Sequence, residues 1–80
     1  MSVENEEILF EFEQWEKGRM FPCTLITYTD GMMDLHAQTG DGHQKAIKRA
    51  KEILGARGLV VEKAEFIGGS GIYYPVKRKN

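Results

Sequence analysis

The chain has 80 residues, of which 41% are hydrophobic and 29% are charged, and its formal net charge is −1. This length and composition suit one small globular domain. The single cysteine excludes an internal disulfide and a cysteine-rich zinc site, and no apolar run approaches the roughly 18 residues of a membrane span. We expect one cytoplasmic domain over residues 1–80, with frayed ends at residues 1–6 and 77–80 and no association with a membrane.

The small net charge conceals an uneven distribution of charge along the chain. Residues 1–40 carry eight acidic and two basic side chains, whereas residues 41–80 carry nine basic and four acidic ones. Such polarity is typical of a protein with a charged partner. The alternative is that the two halves neutralise each other across a compact fold.

The first predicted strand lies in "EILFEFEQW". Its apolar side chains alternate with glutamates, which is typical of a strand with one buried face. Ile8, Phe10 and Phe12 are therefore expected to point to one side of a sheet, and Glu11 and Glu13 to the other.

A hairpin is predicted where Asp30-Gly31 stands between the β-rich runs "CTLITYT" and "MMDLHAQ". This dipeptide is typical of a two-residue type I′ turn, which needs positive φ at both central positions. The turn would set Ile26 opposite Leu35. One face of the hairpin is then expected to carry Tyr28, Ile26, Met33, Leu35 and Ala37.

A helix is predicted after "TGDG". Asp41 and Gln44 have the spacing of a capping box, so the carboxylate of Asp41 is expected to cap the first turn. Gly55 or Gly58 is expected to end the helix. Apolar residues that recur every three or four positions define its buried stripe: Ala46, Ile47, Ala50, Ile53 and Leu54.

Two more strands are predicted after the helix, in "LVVEKAEFI" and "IYYPV", with "GGSG" as the loop between them. The inward face of the first is either Val60, Ala64 and Phe66 or Leu59, Val61 and Ile67, and we favour the second set. Pro75 has no N–H to donate, which places the last strand, residues 72–76, at an edge of the sheet. That edge offers a route to homodimerisation.

The order of elements, β-β-β-α-β-β, predicts an α+β fold. We expect a mostly antiparallel sheet of four to five strands with one helix packed on one face.

Catalytic and metal-binding patterns are weak throughout the sequence. "TGDGHQK" lacks the spacing of a phosphate-binding loop, and His36 and His43 have no recognised metal-ligand spacing, so both are expected in solvent. Cys23 has no neighbouring base to activate it. We expect a protein that is not an enzyme and needs no cofactor or metal.

Basic and aromatic side chains are the candidate binding residues. The basic ones recur on one side of the predicted helix, 44–57, and are followed by a basic C-terminal tail. The aromatic ones exceed what a core with one helix can enclose, and such side chains often anchor interfaces. The candidates are Lys45, Lys48, Arg49, Lys51, Arg57, Trp15, Tyr73 and Tyr74.

The stretch "GDGHQKAIKRAKEIL" resembles the last strand and basic second helix of double-stranded-RNA-binding domains. Gly40, Gly42 and Lys45 match the G-x-G-x-x-K start of that helix. The first helix of that family is missing here, however, and two strands follow. We therefore do not assign the chain to it.

In size and layout the chain is similar to small phage-encoded inhibitors, including anti-CRISPR proteins and inhibitors of host RNA polymerase. These are often domains with one sheet, one helix, charged faces and no active site. The resemblance implies a protein that acts by occupying a partner's surface, and it rests on architecture with no shared motif. We expect a protein partner; the alternative is a nucleic acid bound by helix 44–57 and the C-terminal tail.

Overall fold

The computed structural model of the chain describes residues 2–68 and 71–79. This part of the chain contains one helix and six strands, so the predicted α+β fold is confirmed. The elements are β1 (Val3–Glu13), β2 (Met20–Tyr28), β3 (Met33–Gln38), α1 (His43–Ala56), β4 (Leu59–Val61), β5 (Phe66–Gly68) and β6 (Gly71–Arg78). All paired strands are antiparallel, in the order β1-β2-β3-β6, with β4 and β5 both on the outer side of β6. Residues 3–6 and 77–78, which the sequence predicts to be frayed, belong to strands β1 and β6.

The hydrophobic core lies between α1 and one face of the sheet. The helix contributes the predicted stripe, of which Ile53 is only half-buried. The sheet contributes short apolar side chains from β2, β3 and β6. The buried core cluster consists of Cys23, Leu25, Leu35, Ala37, Ile47, Ala50, Leu54 and Val76. No helix among the described residues has the length and apolar character of a membrane span.

The β2–β3 hairpin has a three-residue loop where the sequence predicts a two-residue turn. The N–H of Tyr28 donates to the carbonyl of Met32 at 2.9 Å, and Gly31 has a φ of +89°. A turn followed by one left-handed residue is the usual form of such a loop. The predicted register is therefore wrong by one residue, and Leu25 stands opposite Leu35.

This shift separates Ile26 and Tyr28 from Leu35 and Ala37 and places them on the face that α1 does not cover, where Ile26 is still buried. Ile26 stands opposite Asp34, and the hydroxyl of Tyr28 donates to Asp34 Oδ2 at 2.9 Å. Leu35 and Ala37 remain on the helix side, as predicted. We call the uncovered side of the sheet the open face.

Strand β1 is interrupted by a β-bulge. Ile8 stands opposite Thr24 and Phe10 opposite Cys23, so Leu9 is the extra residue. The bulge reverses the alternation of side chains, and Ile8 is 58% exposed on the open face. The prediction that Ile8 shares a face with Phe10 was wrong, because an inserted residue changes the parity of the strand.

The start of α1 also differs from the prediction. Gly42 is the N-cap, and no described side chain caps the helix. The predicted capping box was wrong because the Asp41 carboxylate is engaged elsewhere: its Oδ1 accepts the N–H of Trp15 at 3.1 Å. The end is as predicted, since Gly58, with a φ of +77°, follows the last turn.

The predicted strand 59–67 is divided into β4 and β5. Leu59 and Val61 pack against the core, as favoured from the sequence. Ile67 does not follow them, because it lies beyond the part of the sheet that α1 covers and is 71% exposed. Residues 69 and 70 of the predicted "GGSG" loop lie outside the described residues.

Strand β6 is not at an edge, so the assignment of residues 72–76 to an edge was wrong. It pairs with β3 on one side and with β4 and β5 on the other. The carbonyl of Pro75 accepts the N–H of Glu62 at 2.9 Å, between these two outer partners. In a strand the N–H and the C=O of one residue point to the same side, so an N–H at position 75 would also face the break between β4 and β5. Because the hydrogen-bond ladder is interrupted there, a proline can stand in this interior strand.

Candidate binding surfaces

The five basic residues predicted as a binding strip are all exposed: Lys45, Lys48, Arg49, Lys51 and Arg57. Arg57 is nevertheless engaged within the chain. Its two terminal nitrogens lie 2.8 and 2.7 Å from the carboxylate oxygens of Glu7 on β1. Hydrogen bonding to Arg57 lowers the pKa of Glu7. At this point the acidic and basic halves of the chain neutralise each other.

A groove of about 420 Å³ lies between β1 and the first half of α1, and we call it the α1 groove. The rings of Phe10 and Phe12 line it and meet edge to face, with their centroids 6.3 Å apart. The guanidinium of Arg49 lies over the ring of Phe10, at 4.3 Å from its centroid. This cation–π contact holds one of the predicted basic residues at the groove.

Charges of both signs line the α1 groove. Glu13 and Asp41 already accept backbone N–H groups, from Gly18 at 2.7 Å and from Trp15 at 3.1 Å. Lys45 also lines the groove and has no hydrogen-bond or ion-pair partner within residues 2–68 and 71–79. The groove therefore offers a free ammonium group and a stacked guanidinium beside two apolar rings.

Trp15 extends this surface. It is 58% exposed and has a φ of +73°. A second hollow of about 240 Å³ is lined by Trp15 and shares Glu13 and Asp41 with the α1 groove. The structure therefore brings Lys45, Arg49 and Trp15 to one side of the molecule, whereas the sequence predicted them as separate charged and aromatic groups.

Gln14 sets the distance between β1 and the start of α1. Its side chain is buried, and its Nε2 donates to the carbonyl of Thr39 at 3.1 Å. Its Oε1 accepts the N–H of Gly42 at 3.3 Å. The amide also packs directly on Gly40, where a Cβ would collide with it. A buried glutamine has no periodic signature, so this role of Gln14 could not be predicted from the sequence.

The two predicted aromatic anchors on β6 separate to opposite faces of the sheet. The hydroxyl of Tyr74 lies 2.7 Å from Nε2 of His43, beneath α1. The expectation that His43 is solvated was wrong: it is 4% exposed. Tyr74 therefore serves the helix-side packing, and Tyr73 lies on the open face.

An aromatic row crosses the open face. Tyr73 packs against His36 of β3, with ring centroids 4.5 Å apart, and against Phe66 of β5, at 5.9 Å. The ring of His36 covers Gly71, where a Cβ would collide with Nε2. The pairing of Gly68 with Gly71 sets Phe66 opposite Tyr73. A β5–β6 hairpin register read from the sequence would have predicted this contact.

Acidic side chains lie beside the aromatic row. The pKa of Tyr28 is raised to about 12, first by burial and then by its hydrogen bond to Asp34 and the negative charges of Asp34 and Glu65. Glu6 stands opposite Ile26 and so also belongs to the open face. This surface is aromatic and acidic, whereas the α1 groove is aromatic and contains unpaired cations.

The described residues do not assemble a metal or nucleophile site. His36 is on the open face and His43 is on the helix side, so the two imidazoles do not converge. No group of three metal-ligating side chains occurs within residues 2–68 and 71–79. Cys23 is buried, and burial raises the pKa of its thiol to about 11, which suppresses the nucleophilic thiolate.

No protein-family model matches the chain. Neither curated sequences nor solved structures gave a significant match.

Proposed function

We propose that the protein is a non-enzymatic binding module that acts in the cytoplasm by occupying part of a partner protein's surface. Inhibition of the partner is the expected consequence, in line with the resemblance of its layout to small phage-encoded inhibitors. The observation that carries the proposal is the position of Lys45 and Arg49 at the α1 groove, with Trp15 exposed in the adjoining hollow.

The physical support is the combination of apolar area and unpaired charge at this groove. Trp and Arg are the side chains that most often supply binding energy at interfaces, and cations with free donors give orientation. Lys45 has no partner among the described residues, and Arg49 has only its ring contact. A partner that covers the groove can therefore add contacts without breaking an ion pair.

The experiment is affinity capture of partners, with cross-linking to locate the contact. Lys45→Glu/Arg49→Glu and Trp15→Ala are compared with Lys48→Glu/Lys51→Glu, which makes the same change of charge on α1 outside the groove. We expect the first two to lose a specific protein partner and the third to retain it. Retention of that partner by all three variants would refute the proposal.

A nucleic-acid partner is the alternative, and one contact favours it. The N–H of Lys79 donates to the carbonyl of Gly58 at 2.8 Å, so the basic tail runs beside the end of α1. Helix and tail can then form one continuous basic edge, although Glu7 neutralises Arg57 within it. Between about 50 mM and 200 mM salt, affinity for such a ligand is expected to fall at least about a hundredfold. A gel-shift titration tests this, and no retardation at the lower salt concentration would exclude it.

A further inference from the structure

The open face is the side of the sheet away from α1, and large apolar side chains are exposed on it, although Thr24 and Ile26 on the same face are buried. Phe66 and Ile8 are each 58% exposed there, and Tyr73 is half-buried. Ile8 on β1 and Phe66 on β5 mark the two ends of one cross-strand row, and large apolar side chains left exposed on a sheet face are typical of an interaction surface. The aromatic row of His36, Tyr73 and Phe66 provides stacked ring faces in the middle of this surface.

The charged groups around the row are mostly carboxylates. Asp34 lies on β3 next to His36, Glu6 lies on β1, and the N–H of Glu65 donates to the carbonyl of Tyr73 at 2.9 Å. Lys77, at the far end of β6, is the cation that alternation assigns to this face among the described residues. Burial lowers the pKa of His36, which disfavours a positive charge on its ring within the aromatic row.

We propose that the open face is a second docking surface, and that it binds an arginine-bearing segment of a partner protein. A guanidinium stacks on aromatic rings and forks onto a carboxylate, and the open face offers both within one patch. Tyr73 and Phe66 supply the ring faces. Asp34 and Glu65 supply the acceptors, and the second carboxylate oxygen of Asp34 is not used by Tyr28.

Other occupants fit this surface less well. A nucleic acid can stack bases on aromatic rings, but its phosphates would meet the carboxylates of Glu6, Asp34 and Glu65. Two copies of the chain that met through this face would oppose the same carboxylates to one another. Charge complementarity therefore favours a cationic protein segment, on the side of the molecule away from the α1 groove.

The test is an NMR titration of the full chain with the peptide acetyl-Gly-Arg-Gly-Arg-amide. A matched peptide with citrulline in place of arginine keeps the shape and removes the charge. We expect amide shifts confined to β3, β5 and β6, and at least about tenfold weaker binding of the citrulline peptide. Equal binding of the two peptides, or shifts centred on the α1 groove, would overturn the proposal.

Variants test whether the arginine peptide binds at the open face. Asp34→Asn keeps an acceptor for Tyr28 and removes the charge, and Phe66→Ser changes an exposed side chain; each should weaken arginine-peptide binding at least about fivefold. Glu52→Gln, on the exposed side of α1, removes the same charge elsewhere and should leave binding unchanged. A uniform loss in all three, shifts of the open face on addition of single-stranded RNA, or a dimer in sedimentation that Phe66→Ser dissociates would each contradict the assignment. Since none of these positions lines the α1 groove, the result is independent of the proposed function.

Discussion

The buried side chain of His43 and the half-buried side chain of Tyr74 form a hydrogen bond that ties α1 to the sheet. The Nε2 atom of His43 lies 2.7 Å from the hydroxyl of Tyr74, and its Nδ1 lies 2.9 Å from the carbonyl of Gln38. A carbonyl can only accept, so Nδ1 donates to Gln38, and with the ring proton on Nδ1 the Nε2 atom is the acceptor for the Tyr74 O–H. One side chain thereby joins β3, α1 and β6.

Replacement of Tyr74 by Phe should destabilise the protein. The variant removes the hydroxyl and leaves Nε2 of His43 buried without its partner, which typically costs about 1–3 kcal/mol. Urea unfolding measures the loss. Tyr73→Phe is the matched control, because the Tyr73 hydroxyl has no hydrogen bond within the described residues, and it should change the unfolding free energy by less than about 0.5 kcal/mol. Equal effects of the two variants would show that the buried bond contributes little.

The fold class could be predicted because its signals are local. Alternation in β2 and β3, and the three- and four-residue spacing of Ala46, Ile47 and Ala50, depend only on neighbouring positions. The hairpin register could not be predicted, because Gly31 at positive φ suits both a two-residue turn and the last position of a three-residue loop. The three-residue loop sets Leu25 opposite Leu35, which lets both side chains pack under α1. This packing is a tertiary contact, so it cannot be read from the local sequence.

The candidate site was predictable only in part for a related reason. Helical spacing correctly predicts that Lys45 and Arg49 share an exposed side of α1. The α1 groove also requires Phe10 and Phe12. The bulge at Leu9 places these two side chains on the helix side of the sheet, opposite to Ile8. An inserted residue has no fixed sequence signature, so the neighbour of the basic strip could not be identified.

The β1 bulge leads us to expect a small loss of stability from Ile8→Ala, whereas the sequence pattern predicts a large one. Simple alternation would bury Ile8, whereas the structure exposes it on the open face. Ile8→Ala should therefore change the unfolding free energy by less than about 0.5 kcal/mol. Leu35→Ala, which empties a fully buried position in the core, should cost about 2–5 kcal/mol in the same denaturation experiment. A large loss from Ile8→Ala would mean that the bulge is absent.

The ion pair between Glu7 and Arg57 predicts a pH dependence of stability. The bond from Arg57 lowers the pKa of Glu7 from its usual 4.5, so the folded state holds the proton less tightly than the unfolded state does. The stabilisation is present above pH 4.5 and is lost as the pH falls through the folded-state pKa. NMR titration of the carboxyl group should show the lowered pKa in the wild type and a return toward 4.5 in Arg57→Gln. An unchanged pKa in that variant would exclude Arg57 as the cause.

Two glycines at the end of α1 should respond to alanine in opposite directions. Gly55 lies inside the helix, and a Cβ there meets nothing within 4 Å, so Gly55→Ala should stabilise the protein by about 0.5–1 kcal/mol. Gly58 has a φ of +77°, a conformation that costs other residues about 1–2 kcal/mol, so Gly58→Ala should destabilise it. Thermal unfolding of the two variants measures both changes. The same sign in both would place the end of the helix elsewhere.

Cys23 should be protected from thiol reagents as long as the protein is folded. Its side chain is fully buried, and burial raises the pKa of its thiol to about 11. At pH 8 the thiolate fraction of a group with that pKa is on the order of one in a thousand, and the reagent has no direct access to it. Reaction with a chromogenic disulfide should therefore be slow in native buffer and fast in concentrated urea, where a cysteine of ordinary pKa is exposed. Cys23→Ser gives the background signal. Fast reaction of the native protein would show that the packing between β2 and α1 opens readily.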